Sequence, residues 1–187
     1  DIGKDFNIDP DLIEEKISDK TKAIMPVHLL GKPCNMKRIN KIAKKHNLLV
    51  IEDAAHACGS AYNGKKIGTL SDLTCFSFHA VKNLTTGEGG MITTNNDEWA
   101  TRLRKLRWLG INKSTFDRSI VGEKYDWYYE VEEVGWKYHM SDINAAIGIV
   151  QLAKLDRLND VRRTLRDRYN QALGGFNWIE LPVEKAY

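Results

Sequence analysis

Leu48-Leu-Val-Ile-Glu-Asp53 is a run of four apolar residues that stops at two carboxylates. Upstream stands Lys22-Ala-Ile-Met-Pro-Val-His-Leu-Leu30, mostly apolar, closed by Gly31 and too short for a helix. Both read as buried strands, and Pro26 argues against a central position for the first. Between them, residues 35–46 carry Met36, Ile39, Ile42 and Ala43 at helical spacing, with lysines on the other face. Strand, helix and strand in about thirty residues make a βαβ unit, so the two strands are predicted to be parallel with a right-handed crossover.

Working outward, residues 9–18 read as a helix with Pro10 in its first turn. Residues 54–72 are small and rich in glycine (Gly59, Gly64, Gly68), the composition of turns and close backbone packing. Leu73-Thr-Cys-Phe-Ser-Phe78 alternates and is aromatic, a strand pattern; residues 82–90 form a loop, and 91–94 a further short strand. Asn96 is placed to cap a helix from Asp97 to about Leu109. Residues 110–135 read as a loop rich in aromatics (Trp127, Tyr128, Tyr129), and a helical region runs from Ser141 to Leu173 with a break near residues 154–158. The fold class is α/β with a mostly parallel sheet.

The 187 residues carry 28 Lys and Arg against 25 Asp and Glu, a net charge of only +3, and 42% are hydrophobic. That is enough to build a core and excludes a disordered chain. Apolar runs reach around eight residues, far short of the roughly 20 needed to span a bilayer. The opening residues lack the pattern of a secretory signal. Positive charges are interspersed with acidic ones, which argues against a nucleic-acid surface. Cys34, Cys58 and Cys75 show no CxxC spacing, and an odd count favours reduced thiols. The expectation is a cytoplasmic protein with neither a membrane nor a nucleic acid as partner.

Ligands of α/β folds collect at the carboxyl ends of parallel strands. Asp53 ends one such strand, Ser77 and His79 end another, and Lys82 follows in the loop. A carboxylate there is costly unless it meets a cation. Lys82 could be that cation in a structural pair, or an amine held beside a ligand, and the pattern alone leaves both open. His28 and His46 read as structural. Cys58 near His56 lacks the convergent partners of a zinc site. Residues 102–108 read as one amphipathic helix with a solvated basic face. Gly64-Lys-Lys lacks the frame of a phosphate loop.

Four ordered stretches go further: Ile51-Glu-Asp-Ala-Ala-His56, Phe76-Ser-Phe-His-Ala-Val-Lys-Asn-Leu84, Gly87-Glu-Gly-Gly-Met-Ile-Thr-Thr-Asn95 and His139-Met-Ser-Asp-Ile-Asn-Ala-Ala-Ile-Gly-Ile-Val-Gln-Leu152. Together they resemble the DegT/DnrJ/EryC1/StrS family of sugar aminotransferases, which depend on pyridoxal 5′-phosphate (PLP), over about residues 7–173. The resemblance implies the three-layer α/β/α large domain of the aspartate aminotransferase superfamily. Residues 1–140 would be part of that PLP-binding domain without its N-terminal portion. Residues 141–187 would be the interdomain helix and the truncated start of a small C-terminal domain. It implies Lys82 as the Schiff-base lysine, Asp53 as the partner of the cofactor's ring nitrogen, and Ser77 as a phosphate ligand. His56 stands where glutamine is usual and would bond the phenolic oxygen. Lys137 replaces an asparagine that reaches the phosphate of the neighbouring subunit in a homodimer. The implied reaction moves an amino group from an amino acid, by family habit L-glutamate, to a nucleotide-linked keto-sugar. Alternatives are a sugar dehydratase of the same family, in which histidine replaces the lysine, and a non-catalytic structural chain that keeps the fold.

Overall fold

The structure is a computed structural model that describes residues 1–113 and 129–182. The chain divides into two compact units, Asp1–Thr94 with Asp142–Tyr187, and Asn95–Ser141.

In the first unit, the strands β1 (Ala23–Ile24), β2 (Leu49–Asp53), β5 (Leu73–Ser77) and β6 (Gly90–Thr93) form one sheet in the order β1-β2-β5-β6. The first three are parallel and β6 is antiparallel to β5, so the sheet is mixed and mostly parallel. β3 (Ala61–Tyr62) and β4 (Lys65–Lys66) make a separate antiparallel hairpin. The βαβ reading holds, and β1 lies at the edge of the sheet, where Pro26 costs no ladder bond. The predicted first strand is cut to two residues, because the backbone leaves the ladder after Ile24 and rejoins it only at a Val27–Asp53 bridge.

α1 (Met36–His46) crosses between β1 and β2. Asn35 accepts from the Arg38 N–H at its start, and Asn47, left-handed at φ 52°, ends it. Met36, Ile39, Ile42 and Ala43 are buried with Ile24, Val50, Ala54, Ala57 and Tyr62 in one core, at about 1.5–3 kcal/mol for each large side chain. At the far end of α1, Lys45 and then His46 hydrogen-bond Glu14 and hold its carboxyl at about 2, below the usual carboxylate range.

The helix expected over residues 9–18 is instead two short 3-10 turns, Pro10–Leu12 and Glu14–Lys16. The segment is mostly polar and has only Leu12, Ile13 and Ile17 to bury, and tight turns suffice to bury Ile13. The C-terminal helical region comprises α3 (Asp142–Leu152) and α4 (Leu155–Leu173), broken at Ala153–Lys154.

In the second unit, α2 (Asp97–Leu106) is capped by Asn96, which accepts from the Trp99 N–H at 3.0 Å. It ends earlier than expected because Leu109 turns left-handed (φ 58°) and pairs with Trp136, which itself bonds Leu106. Trp127 and Tyr128 lie outside the described residues.

Candidate active site

The pairing of β2 with β5 sets the site. Asp53 lies opposite Cys75 and Glu52 opposite Thr74. Partners across a parallel ladder share a face and alternate residues share a side. Asp53, Cys75 and Ser77 therefore stand on one face at the carboxyl ends of two adjacent strands, while Glu52 and Thr74 stand on the other. The Thr74 hydroxyl donates to Oε1 of Glu52 at 2.9 Å, as that alternation requires. Burial, and then the charge of Asp53, push the Cys75 thiol above its ordinary value, in keeping with a shared face.

Each candidate side chain is held by local structure. Oδ1 of Asp53 accepts from the Ala55 N–H at 3.0 Å, closing a turn at the strand end. The Asp53 backbone N–H donates to Pro26 O at 2.9 Å, and its carbonyl accepts from the His28 N–H at 3.0 Å. His56 follows in that turn, and its Nδ1 accepts from the Leu30 N–H at 3.3 Å. With Nδ1 accepting, the ring N–H at Nε2 is the donor that His56 can offer. Leu30 is itself left-handed (φ 53°), and a Cβ on Gly31 (φ 79°) would sit 2.8 Å from the His56 carbonyl. Only glycine fits that approach.

Lys82 lies in the loop after β5. Its N–H donates to His79 O at 3.0 Å, and Thr86 N–H donates to Phe78 O at 2.9 Å, closing the neck of the loop. The Lys82 side chain is half-buried, and no ion pair joins it to Asp53. The structural-pair alternative thus finds no support among the described contacts. Asp53, His56, Ser77 and Lys82 come from the ends of two neighbouring strands. A carboxylate, a ring N–H, a hydroxyl and an amine are the donor set that a protonated pyridine ring, its phenolic oxygen, a phosphate and an aldehyde call for, so these residues fit PLP.

Lys137 belongs to the second unit, where its ammonium lies over the Trp108 ring, 4.1 Å from the centroid. The His139 ring meets the same indole edge-on at 4.2 Å. Among the described residues no cluster of His, Cys, Asp or Glu could hold a metal ion, and no helix is long and apolar enough to cross a membrane.

Two features were missed from sequence. His28 and Glu52 are fully buried, with Nε2 at 2.6 Å from Oε2. Nδ1 of His28 accepts from the Cys34 N–H at 3.1 Å, so Nε2 is the ring nitrogen that donates to Glu52. Burial pushes the Glu52 carboxyl up, but the hydrogen bonds from His28, Ser71 and Thr74 outweigh it and leave the group below its ordinary value. The second feature is Asn83, whose amide bonds the Cys58 carbonyl across 25 positions of sequence. No spacing rule finds either contact, because both depend on which strands are neighbours.

The sequence profile of the DegT/DnrJ/EryC1/StrS aminotransferase family matches residues 1–186. The chain belongs to this family. Within it, the chain is 44% identical over 167 residues to the spore coat polysaccharide biosynthesis protein SpsC of Bacillus subtilis, covering 89% of the chain and 42% of SpsC. Among solved structures it is similar to Helicobacter pylori PseC, an aminotransferase involved in the biosynthesis of pseudoaminic acid. That match has a TM-score of 0.86 at 33% identity and covers 94% of the chain and 45% of PseC. It is similar also to the PMP-form of Spr1654 from Streptococcus pneumoniae, with a TM-score of 0.84 at 35% identity, over 94% of the chain and 49% of Spr1654. The chain spans about half the length of the curated relatives it matches. These DegT-family likenesses bear out the expected fold class.

Proposed function

We propose that the protein is a PLP-dependent aminotransferase that moves an amino group from an amino acid, L-glutamate by family habit, to a nucleotide-linked keto-sugar for polysaccharide or deoxyaminosugar synthesis. The observation that carries the reading is the alignment of Asp53 and Ser77 on one face of β2 and β5, with Lys82 in the loop beyond. Solved relatives include an aminotransferase, PseC, and a protein in its PMP-form, Spr1654, and both likenesses support the reading. SpsC, named for polysaccharide biosynthesis, supports the product class.

Bound PLP supplies an electron sink for charge left on the carbon that loses or gains a proton. The Asp53 carboxylate holds the proton on the ring nitrogen, because an anion beside it favours the charged ring. The Ser77 hydroxyl donates to the phosphate, and Nε2–H of His56 donates to the phenolic oxygen. Nζ of Lys82 would carry the proton between the amino donor's α-carbon and C4′ of the bound cofactor, the shift that transamination requires. Residues 1–140 would then belong to the PLP-binding domain and 141–187 lead into the next. In a homodimer, Lys137 would leave Trp108 for the phosphate on the partner subunit, binding as a point charge.

Mixing the purified protein with PLP and then with L-glutamate tests the reading. A yellow band that L-glutamate bleaches, with 2-oxoglutarate released, is the expected result. A band that no amino donor bleaches would count against transamination, and no band would favour the non-catalytic chain.

A further inference from the structure

Cys58 lies in the turn after β2, two residues beyond His56. Its carbonyl oxygen accepts from Nδ2 of Asn83 at 2.5 Å and from Nδ2 of Asn159 at 3.3 Å. Nδ2 of Asn83 also reaches Oδ1 of Asn159 at 3.4 Å. Asn83 is the neighbour of Lys82, and Asn159 lies in the first turns of α4. Three segments remote in sequence therefore meet at one carbonyl. Gly59 makes the approach possible: at φ +86° a Cβ there would lie 2.6 Å from Nδ2 of Asn159 and 3.3 Å from Cδ2 of the buried Leu155.

The chemistry of position 83 is selective. An amide nitrogen carries two N–H donors, enough for the Cys58 carbonyl and Asn159 together. The other half of the amide is left over, since Oδ1 of Asn83 is buried with no partner among the described residues. A buried acceptor without a partner is costly, and an apolar side chain would avoid that cost. The site keeps the donor despite that cost, and a buried orphan of this kind calls for an explanation.

We propose that Asn83 and Asn159 are positioning residues that fix the Lys82 loop against the turn carrying Asp53 and His56, and so set where the Lys82 amine stands relative to those side chains. The inference rests on Lys82 acting as proposed above. Neither asparagine touches the reacting atoms. Their effect passes through the backbone of residues 82–83 and 56–58.

The test compares the intact protein with Asn83→Ala, Asn159→Ala and the double variant. Hydrogen–deuterium exchange over residues 79–86 of the cofactor-free protein should speed up about tenfold in Asn83→Ala, the loss of one buried hydrogen bond. In the holoprotein the pH midpoint of the cofactor's visible band should move, and kcat should fall about 10- to 100-fold while KM for the amino donor stays within about twofold. Asn159→Ala should shift the same readouts less, and the double variant should exceed either single variant, because each single variant leaves the Cys58 carbonyl one of its two donors. A folded Asn83→Ala with wild-type exchange and a wild-type midpoint overturns the proposal. If that variant does not fold, unchanged exchange in Asn159→Ala overturns it. Borohydride labelling of the wild type separates the two readings: a label on another lysine overturns the role of Lys82, while exchange in the cofactor-free protein reports on the clamp itself.

Discussion

Nε2 of His28 donates to Oε2 of Glu52 across 2.6 Å, and neither side chain is exposed. The pair backs the end of β2 from the face opposite Asp53. The same His28 donates its backbone N–H to the Asp53 carbonyl, so one residue holds both members of the Glu52-Asp53 step. Ser71 and Thr74 supply the remaining donors to Oε1 of Glu52. A histidine and two hydroxyls thus solvate one buried carboxylate.

Removing His28 leaves that carboxylate short of a donor. His28→Leu should cost about 2–3 kcal/mol of stability, measured by urea unfolding at neutral pH. Glu52→Gln, which keeps the shape, should cost less. The folded carboxyl lies below its ordinary 4.5, so its contribution is complete above that value and is lost as pH falls through the folded value. The stability gap between wild type and Glu52→Gln should therefore narrow below about pH 4.5. A gap that does not change with pH would contradict this account.

Asp53→Ala should lower kcat by about 10²–10³ or more, since a preorganised charge at the ring nitrogen is lost. It also removes the acceptor for the Ala55 N–H, so the turn carrying His56 loosens. Asp53→Glu keeps the charge but shifts it and should retain part of the activity. Steady-state kinetics of both variants decide the matter, and normal turnover by Asp53→Ala would end the assignment.

What could be read from sequence follows from the range of each interaction. β2 and α1 were legible because their signals are local: four apolar residues before Glu52, and Met36, Ile39, Ile42 and Ala43 on one stripe. The break between α3 and α4 was visible to within a few residues for the same reason. The 3-10 turns at Pro10–Leu12 and Glu14–Lys16 were not, because helix and turn share the same capping residues and proline. Asp53, Ser77 and Lys82 could be named from their places at or just beyond strand ends, whereas the common face of Asp53 and Ser77 needed the β2–β5 register. The His28–Glu52 pair spans 24 positions and the Asn83–Asn159 contact 76, so both are products of tertiary register alone.

The shared-site proposal makes its own demand. Lys82→Ala and Lys137→Glu should each be inactive alone. Subunit exchange between them should restore activity, because a mixed dimer assembles one site from an intact Lys82 and an intact Lys137. Failure to recover activity after proven exchange, or a monomer in sedimentation at micromolar concentration, would rule the shared site out. Lys137→Glu also abolishes the stack on Trp108, so tryptophan fluorescence should report the change in the isolated variant.

Borohydride reduction of the PLP-loaded protein, followed by peptide mapping, decides whether Lys82 holds the cofactor. One pyridoxyl group is expected, on the peptide that contains Lys82, and none in Lys82→Ala. A pyridoxyl group on any other lysine, or an unlabelled wild-type protein, would contradict it.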